Sequence, residues 1–265
     1  MRPLVSIIMG AYNCEKTIAD CIESIIKQTY ENWEFIICDD CSNDNTLQII
    51  KEYQRKDERI LLIQNEKNLR LAASLNKCLS LAKGEYIARM DADDESLPER
   101  IEKQVKYLEE NKKIDVVGCN RIVFDDNGER GIRKSIENPD KNILIKDTPF
   151  AHPTIMMRKE VYDELGGYVS NKTTMRAEDL ELWFRFYENN FNGYNIQEAL
   201  YKYRESKEDY CKRSFIAGFQ TSRVYLNGYR KLKFPIIKRI YFLKPIIASL
   251  IPNFILVKYH SKKLL

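Results

Sequence analysis

Residues 4–9 (LVSIIM) form an unbroken apolar run of strand length. A run this short, without alternation, belongs in a strand buried on both faces, the situation in a parallel sheet. The pattern recurs at 34–38 (EFIIC), 60–63 (ILLI) and 85–90 (EYIARM). Between these runs the apolar residues change to helical spacing: Ile18, Cys21, Ile22, Ile25 and Ile26, then Leu47, Ile49, Ile50 and Tyr53, then residues 71–81 with Gly84 just past the end. Strand and helix alternating in this way predict an α/β protein. Its sheet should be mainly parallel and Rossmann-like, flanked by helices, with right-handed crossovers.

In such sheets ligands bind beyond the carboxyl ends of the strands. The polar residues fall there. The first run ends in Gly10-Ala11-Tyr12-Asn13, the second in Asp39-Asp40-Cys41-Ser42, and the fourth in Asp91-Ala92-Asp93-Asp94. Three carboxylates within four residues repel one another, and a hard divalent cation such as Mg²⁺ or Mn²⁺ would relieve the repulsion through oxygen ligation. The bland alternative is a solvated acidic loop that caps the next helix. Asp40 can accept a hydrogen bond from a base imide or a ribose hydroxyl, or residues 39–44 can simply cap the helix starting near Asn45. Tyr12 is placed to stack on a base, or is an aromatic at the core edge.

Further along, a helix is predicted from Pro98 to about residue 111, with Pro in its first turn. Strands follow at 116–119 and 121–124, then a turn at Asp126-Asn127-Gly128. Residues 129–150 are polar and carry no clear period. A strand is expected at 152–157, a short helix at 159–165 ending at Gly166-Gly167, a mobile loop at 171–175, and a helix from about 178 to 189. Leu180, Trp183 and Phe184 share one face of that last helix, which puts Asp179 in its first turn. A carboxylate there is favoured by the helix dipole. It can equally serve as a general base that takes a hydroxyl proton, and Glu178 is its rival.

Five strings carry a family resemblance: VSIIMGAYN (5–13), DDCSNDNT (39–46), NEKNLRLAASLNKCL (65–79), GEYIARMDADDESLPERIEKQVKYLEEN (84–111) and AEDLELWFR (177–185). In order and spacing they resemble the motifs of family 2 inverting glycosyltransferases, over roughly residues 4 to 205. The resemblance implies a GT-A fold in residues 1–208, with a nucleotide-sugar-binding half (about 1–95) and an acceptor half (96–208). It implies a donor site made by Ala11, Tyr12, Asp40, Arg70, Asp91 and Asp93. Asp93 becomes the principal ligand of a divalent cation (Mn or Mg), Asp91 its helper, and Asp179 the catalytic base. Arg70 stands where many members have glycine. His152-Pro153 matches an HP element to which the residues themselves assign no role. Tyr203-Arg204-Glu205-Ser206 departs from the family's YRxH, so no histidine ligand is implied there. The family's chemistry is one in-line displacement from a nucleotide-diphosphate sugar, UDP-linked by family habit, onto a hydroxyl of a glycan or lipid-linked glycan in surface polysaccharide synthesis.

Charge separates the end of the chain from the rest. No Asp or Glu follows Asp209, whereas 12 Lys and Arg do; removing those 12 from the net +4 leaves −8 on residues 1–209. Residues 209–265 read as a basic amphipathic helical extension, interrupted by Pro235, Pro245 and Pro252. Cations among large aliphatics suit an anionic membrane surface, contacted through 229–265, or a helix packed on the acidic body. Nucleic acid is the poorer reading and is not expected as a partner, because the cations alternate mainly with bulky aliphatics. No run approaches the ~20 apolar residues of a membrane span. The chain opens without a signal-peptide pattern, and seven scattered cysteines suit reduced thiols. The expected location is cytoplasmic, peripheral at the inner face of the cell membrane. Cys38-Asp39-Asp40-Cys41 has CxxC spacing but no second pair at zinc-site distance. Two other classes fit the pattern less well. A phosphohydrolase with an Asp nucleophile carries its DxD loop after the first strand, not the fourth. A catalytically silent sugar-nucleotide-binding module would not need Asp91, Asp93 and Asp179 together.

Overall fold

The computed structural model describes residues 2–205 and 214–251. Four parallel strands form its first half: β1 (Val5–Ala11), β2 (Trp33–Asp39), β3 (Ile60–Gln64) and β4 (Tyr86–Arg89), in the order β3-β2-β1-β4. They are joined by α1 (Ile18–Ile26), α2 (Thr46–Lys56) and α3 (Leu71–Leu81). After β5 (Glu95–Ser96) and α4 (Arg100–Glu110) come β6 (Val116–Asp125), β7 (Gly128–Arg133), β8 (Met156–Arg158), α5 (Lys159–Leu165), α6 (Glu178–Glu188) and β9 (Gly193–Arg204). The sheet continues from β4 through β8, β6 and β9 to β5. β8 pairs antiparallel with both β4 and β6, while β6 and β9 are parallel. The last described elements are α7 (Phe215–Lys231), α8 (Ile236–Arg239) and α9 (Lys244–Leu250).

The pleat explains why runs such as LVSIIM carry no polar face. Val5, Ile7 and Met9 of β1 pack with Cys21, Ile22 and Ile25 of α1 and with Ile101 and Val105 of α4. Ile8, from the same strand, points the other way and joins Leu75 of α3, Val161 of α5, Trp183 of α6 and Tyr229 of α7. Each fully buried side chain of this kind contributes about 1.5–3 kcal/mol of transfer free energy. α7 therefore belongs to the core of the body. Its Gly228 lies against the Phe184 ring, and the Tyr229 hydroxyl donates to the Ile145 carbonyl at 2.7 Å.

Three expectations differ from the structure, and one strand has no counterpart among them. Gly84 is not a left-handed helix cap, since α3 ends at Ala82 in an extended conformation. It is small because a Cβ there would lie 2.6 Å from the Ser6 nitrogen of β1. The runs at 116–119 and 121–124 are one strand, β6. The strand expected at 152–157 is a 3-10 turn at His152–Thr154 followed by β8. Finally, β9 was not anticipated at all. Its 12 residues are interrupted by the exposed Gln197-Glu198, where the pairing with β6 slips between Cys119 and Asn120.

Candidate active site

The acidic loop after β4 is clamped from both sides. On the α1 side, the Thr17 hydroxyl donates to the Ala92 carbonyl at 2.9 Å. On the β9 side, the Arg204 backbone N–H donates to Asp94 Oδ1 at 2.7 Å, and Arg204 Nε to the Asp93 carbonyl at 3.2 Å. Asp94 is buried, and burial followed by the charges of Asp91 and Asp93 pushes its carboxyl well above the usual range. It anchors the loop to β9 and caps no helix. Asp91 pairs with the buried Arg89, whose Nη2 lies 2.6 Å from its Oδ1. Two of the three carboxylates are thus committed within the protein. Asp91 and Asp93 both face the cavity beside Tyr12, where carboxylate oxygens could meet a cation.

Asp93, Asp91 and Tyr12 border one cavity of about 590 Å³, together with Gly10, Asp44, Lys16 and Arg204. Tyr12 is 47% exposed there, well placed for stacking. Ala11 ends β1, and its carbonyl accepts the Asp40 N–H at 2.8 Å. Asp40 faces inward. Its Oδ1 accepts from Asn65 Nδ2 and the Leu69 N–H, both at 2.7 Å, and its Oδ2 from the Arg70 N–H at 2.8 Å. The carboxylate shapes the 65–70 loop. Asp44 lies two residues before α2, and its Oδ1 accepts the N–H of Thr46, the first residue of the helix, at 3.0 Å. Arg70 lies just before α3 with φ +75° and borders a separate cavity of about 370 Å³ with Arg176 and Glu178. The 171–175 segment on that rim is ordered by Asn171 Oδ1, which accepts the Thr173 and Thr174 N–H groups at 2.8 and 3.0 Å.

A third cavity, about 300 Å³, joins the other two. Asp91 is common to it and the first; Leu71, Arg176 and Glu178 are common to it and the second. Asp179 sits on its wall, at the first turn of α6, with Oδ1 accepting the Leu180 N–H at 2.7 Å. Burial raises the Asp179 carboxyl, and burial plus the Asp179 charge raise Glu178 to about 7. The shift is mainly a desolvation effect, because burial disfavours the charged form. His152 lines the same cavity, edge-on to the Trp183 ring. Its Nε2 is 2.8 Å from the Tyr168 hydroxyl, while burial and Arg89 push its pKa well below the usual imidazole value.

Sequence reasoning did not single out Arg89, Arg121, Arg133 and Arg176, which all line this cavity. For Arg89 a signal existed: a cation at the end of an otherwise apolar strand, directly before an acidic cluster. Ser206 lies outside the described residues. Among the described residues no three His, Cys, Asp or Glu side chains gather into a complete metal site. One or two strand-end carboxylates do suit a cation such as Mg²⁺, which completes its shell with substrate phosphates and water.

The mixed sheet flanked by helices is the GT-A fold, and the strand-end carboxylates, Tyr12 and the Glu178-Asp179 pair lie on cavities that share lining residues. The chain belongs to glycosyl transferase family 2, whose family model matches residues 6–166. It is 50% identical over 264 residues to the EpsE protein of Bacillus subtilis (strain 168), covering 99% of this chain and 95% of that one. It is 32% identical over 213 residues to the Escherichia coli enzyme WfgD, a UDP-Glc:alpha-D-GlcNAc-diphosphoundecaprenol beta-1,3-glucosyltransferase, covering 80% and 81%. Among solved structures, S. aureus TarS 1-349 in complex with UDP-GlcNAc superposes with a TM-score of 0.71 at 22% identity, over 93% of this chain and 71% of that one. Mannosyltransferase PcManGT from Pyrobaculum calidifontis, in complex with GDP-Man and Mn2+, gives 0.67 at 16% identity, over 99% and 80%.

Proposed function

We propose that the chain is an inverting glycosyltransferase. It moves a sugar from a nucleotide-diphosphate donor, a UDP-sugar, to a hydroxyl of a glycan or lipid-linked glycan in surface polysaccharide synthesis. The observation that carries this reading is the pair Glu178 and Asp179. Both are held up in pKa by burial, on a cavity that also contains Asp91 of the strand-end cluster. A carboxylate whose affinity for a proton is raised by burial is a competent general base. Asp179 takes the acceptor hydroxyl proton as the oxygen attacks the anomeric carbon, and the diphosphate leaves from the opposite face. Tyr12 stacks on the base, and Asp40 fixes the Leu69-Arg70 backbone beside it. Asp93, with Asp91 assisting, would hold a divalent cation, which would supply Lewis-acid stabilisation to the departing diphosphate. The UDP donor and lipid-diphosphate acceptor named for WfgD support this substrate class.

The enzyme works at the cytoplasmic face of a membrane, resting on anionic lipid through its basic C-terminal segment. Ile236, Ile237, Ile240, Ile247 and Leu250 are exposed and stand among Lys233, Lys238, Arg239 and Lys244. Among the described residues no helix is long and apolar enough to cross a membrane. Residues 252–265 of this segment lie outside the described residues. A panel of UDP- and GDP-sugars with Mn²⁺, read by donor binding and nucleoside diphosphate release, tests the function. Metal-dependent binding of one donor supports it; binding of none refutes it.

A further inference from the structure

On β6 and β7, Arg121 and Arg133 stand directly opposite each other. Like charges in such a cross-strand pair destabilise a sheet, so this arrangement is not favoured by folding alone. Glu205 neutralises one of the two, with its Oε2 at 2.8 Å from Arg133 Nη1. Among the described residues Arg133 Nη2 is buried without an acceptor. Arg121 makes no ion pair among the described residues; the Tyr203 ring lies 5.7 Å from its guanidinium carbon. Burial and the neighbouring Arg133 both depress its basicity. Both arginines line the 300 Å³ cavity, whose other wall carries Glu178 and Asp179. Neither reaches the 590 Å³ cavity beside Asp93, which has Lys16 and Arg204 as its own cations.

We infer that Arg121 and Arg133 form an oxyanion subsite for the acceptor, so the accepting glycan carries a phosphate or a carboxylate close to the hydroxyl that is glycosylated. This rests on reading the cavity as the reaction centre of a glycosyltransferase. The guanidinium forks face an anion while the acid pair faces the hydroxyl, which fixes the acceptor at both ends. Arginine suits the task because its planar fork matches both oxyanions bidentately.

The test is calorimetric titration of the full chain with UDP and Mn²⁺ at saturation, so that the donor's phosphate site is filled. The probes are N-acetylglucosamine 1-phosphate, glucuronic acid and a neutral methyl glucoside. At least one anionic probe should bind roughly tenfold more tightly than the neutral one, in line with charge-assisted hydrogen bonds to a half-buried cation. Preference for the first probe identifies phosphate as the recognised group, and for the second carboxylate. Arg121→Gln should erase the preference and leave UDP affinity unchanged, which also shows that the variant is folded. Arg121→Lys should restore part of it. Equal binding of all three probes would overturn the inference, as would an Arg121→Gln variant that keeps the preference or loses UDP in the same proportion. If the wild type does not bind UDP with Mn²⁺, the donor reading itself fails and this subsite with it.

Discussion

Arg70 tests how the donor side is built. Its φ of +75° and ψ of 164° lie in a region that is essentially reserved for glycine. Two backbone N–H groups, Leu69 and Arg70, are held there by the Asp40 carboxylate at 2.7 and 2.8 Å. Strain of this kind costs about 1–3 kcal/mol. Arg70→Gly relieves it but adds roughly 0.4–1 kcal/mol of unfolded-chain entropy. The net effect is a stabilisation of about 1 kcal/mol, which for a chain of 265 residues raises Tm by about 2 °C. Arg70→Ala removes the same side chain yet keeps the positive φ, so it should bring no such rise. Thermal unfolding of the two variants in one buffer separates backbone from side chain, and UDP titration of both measures the guanidinium's part in donor binding. If Ala stabilises as much as Gly, or if Gly lowers Tm, the strain argument is wrong.

Three other outcomes follow from the same structure. Asp40→Ala leaves two backbone N–H groups and Asn65 without their acceptor; it should cost about 2–3 kcal/mol in urea unfolding and weaken donor binding, with Asn in between. Glu178 holds its proton up to about 7 in the folded state, above its unfolded value. The folded state therefore binds more protons in that window, and stability should fall as pH rises from the ordinary carboxylate range through about 7. Urea midpoints at pH 5 and pH 8 check this, and Glu178→Gln should flatten the slope. Ile236→Glu with Ile237→Glu places two charges on side chains that are each 82% exposed. Sedimentation with anionic vesicles should then lose roughly tenfold or more in binding, since two apolar groups and two favourable charge balances go together. Unchanged binding would remove the lipid surface as partner.

The parallel half of the fold was legible because strands buried on both faces leave apolar runs that no surface element imitates. β9 was not, because Gln197 and Glu198 bulge out of the ladder and break the two-residue period. Residues 129–150 were opaque for a related reason: β7 is an edge strand, and its residues are half-buried or exposed, so burial left little pattern. The carboxylates at strand ends could be found, since the sheet topology says where strand ends meet. What each carboxylate does could not. Asp40 and Asp94 look alike in the sequence, yet one holds the 65–70 loop and the other holds β9. The arginines of the central cavity were invisible except Arg89, because which face of β6 or β7 looks into a cavity is decided by strands far away in the chain.

Turnover of Asp179→Asn, measured beside UDP affinity in the same preparation, bears most directly on the central claim. Loss of a positioned general base should lower kcat by about 10²–10⁴-fold, while donor binding stays near the wild-type value, because Asp179 borders the central cavity and not the one beside Tyr12 and Asp93. Wild-type turnover in this variant, or a loss of UDP binding that matches the loss of rate, would contradict the account.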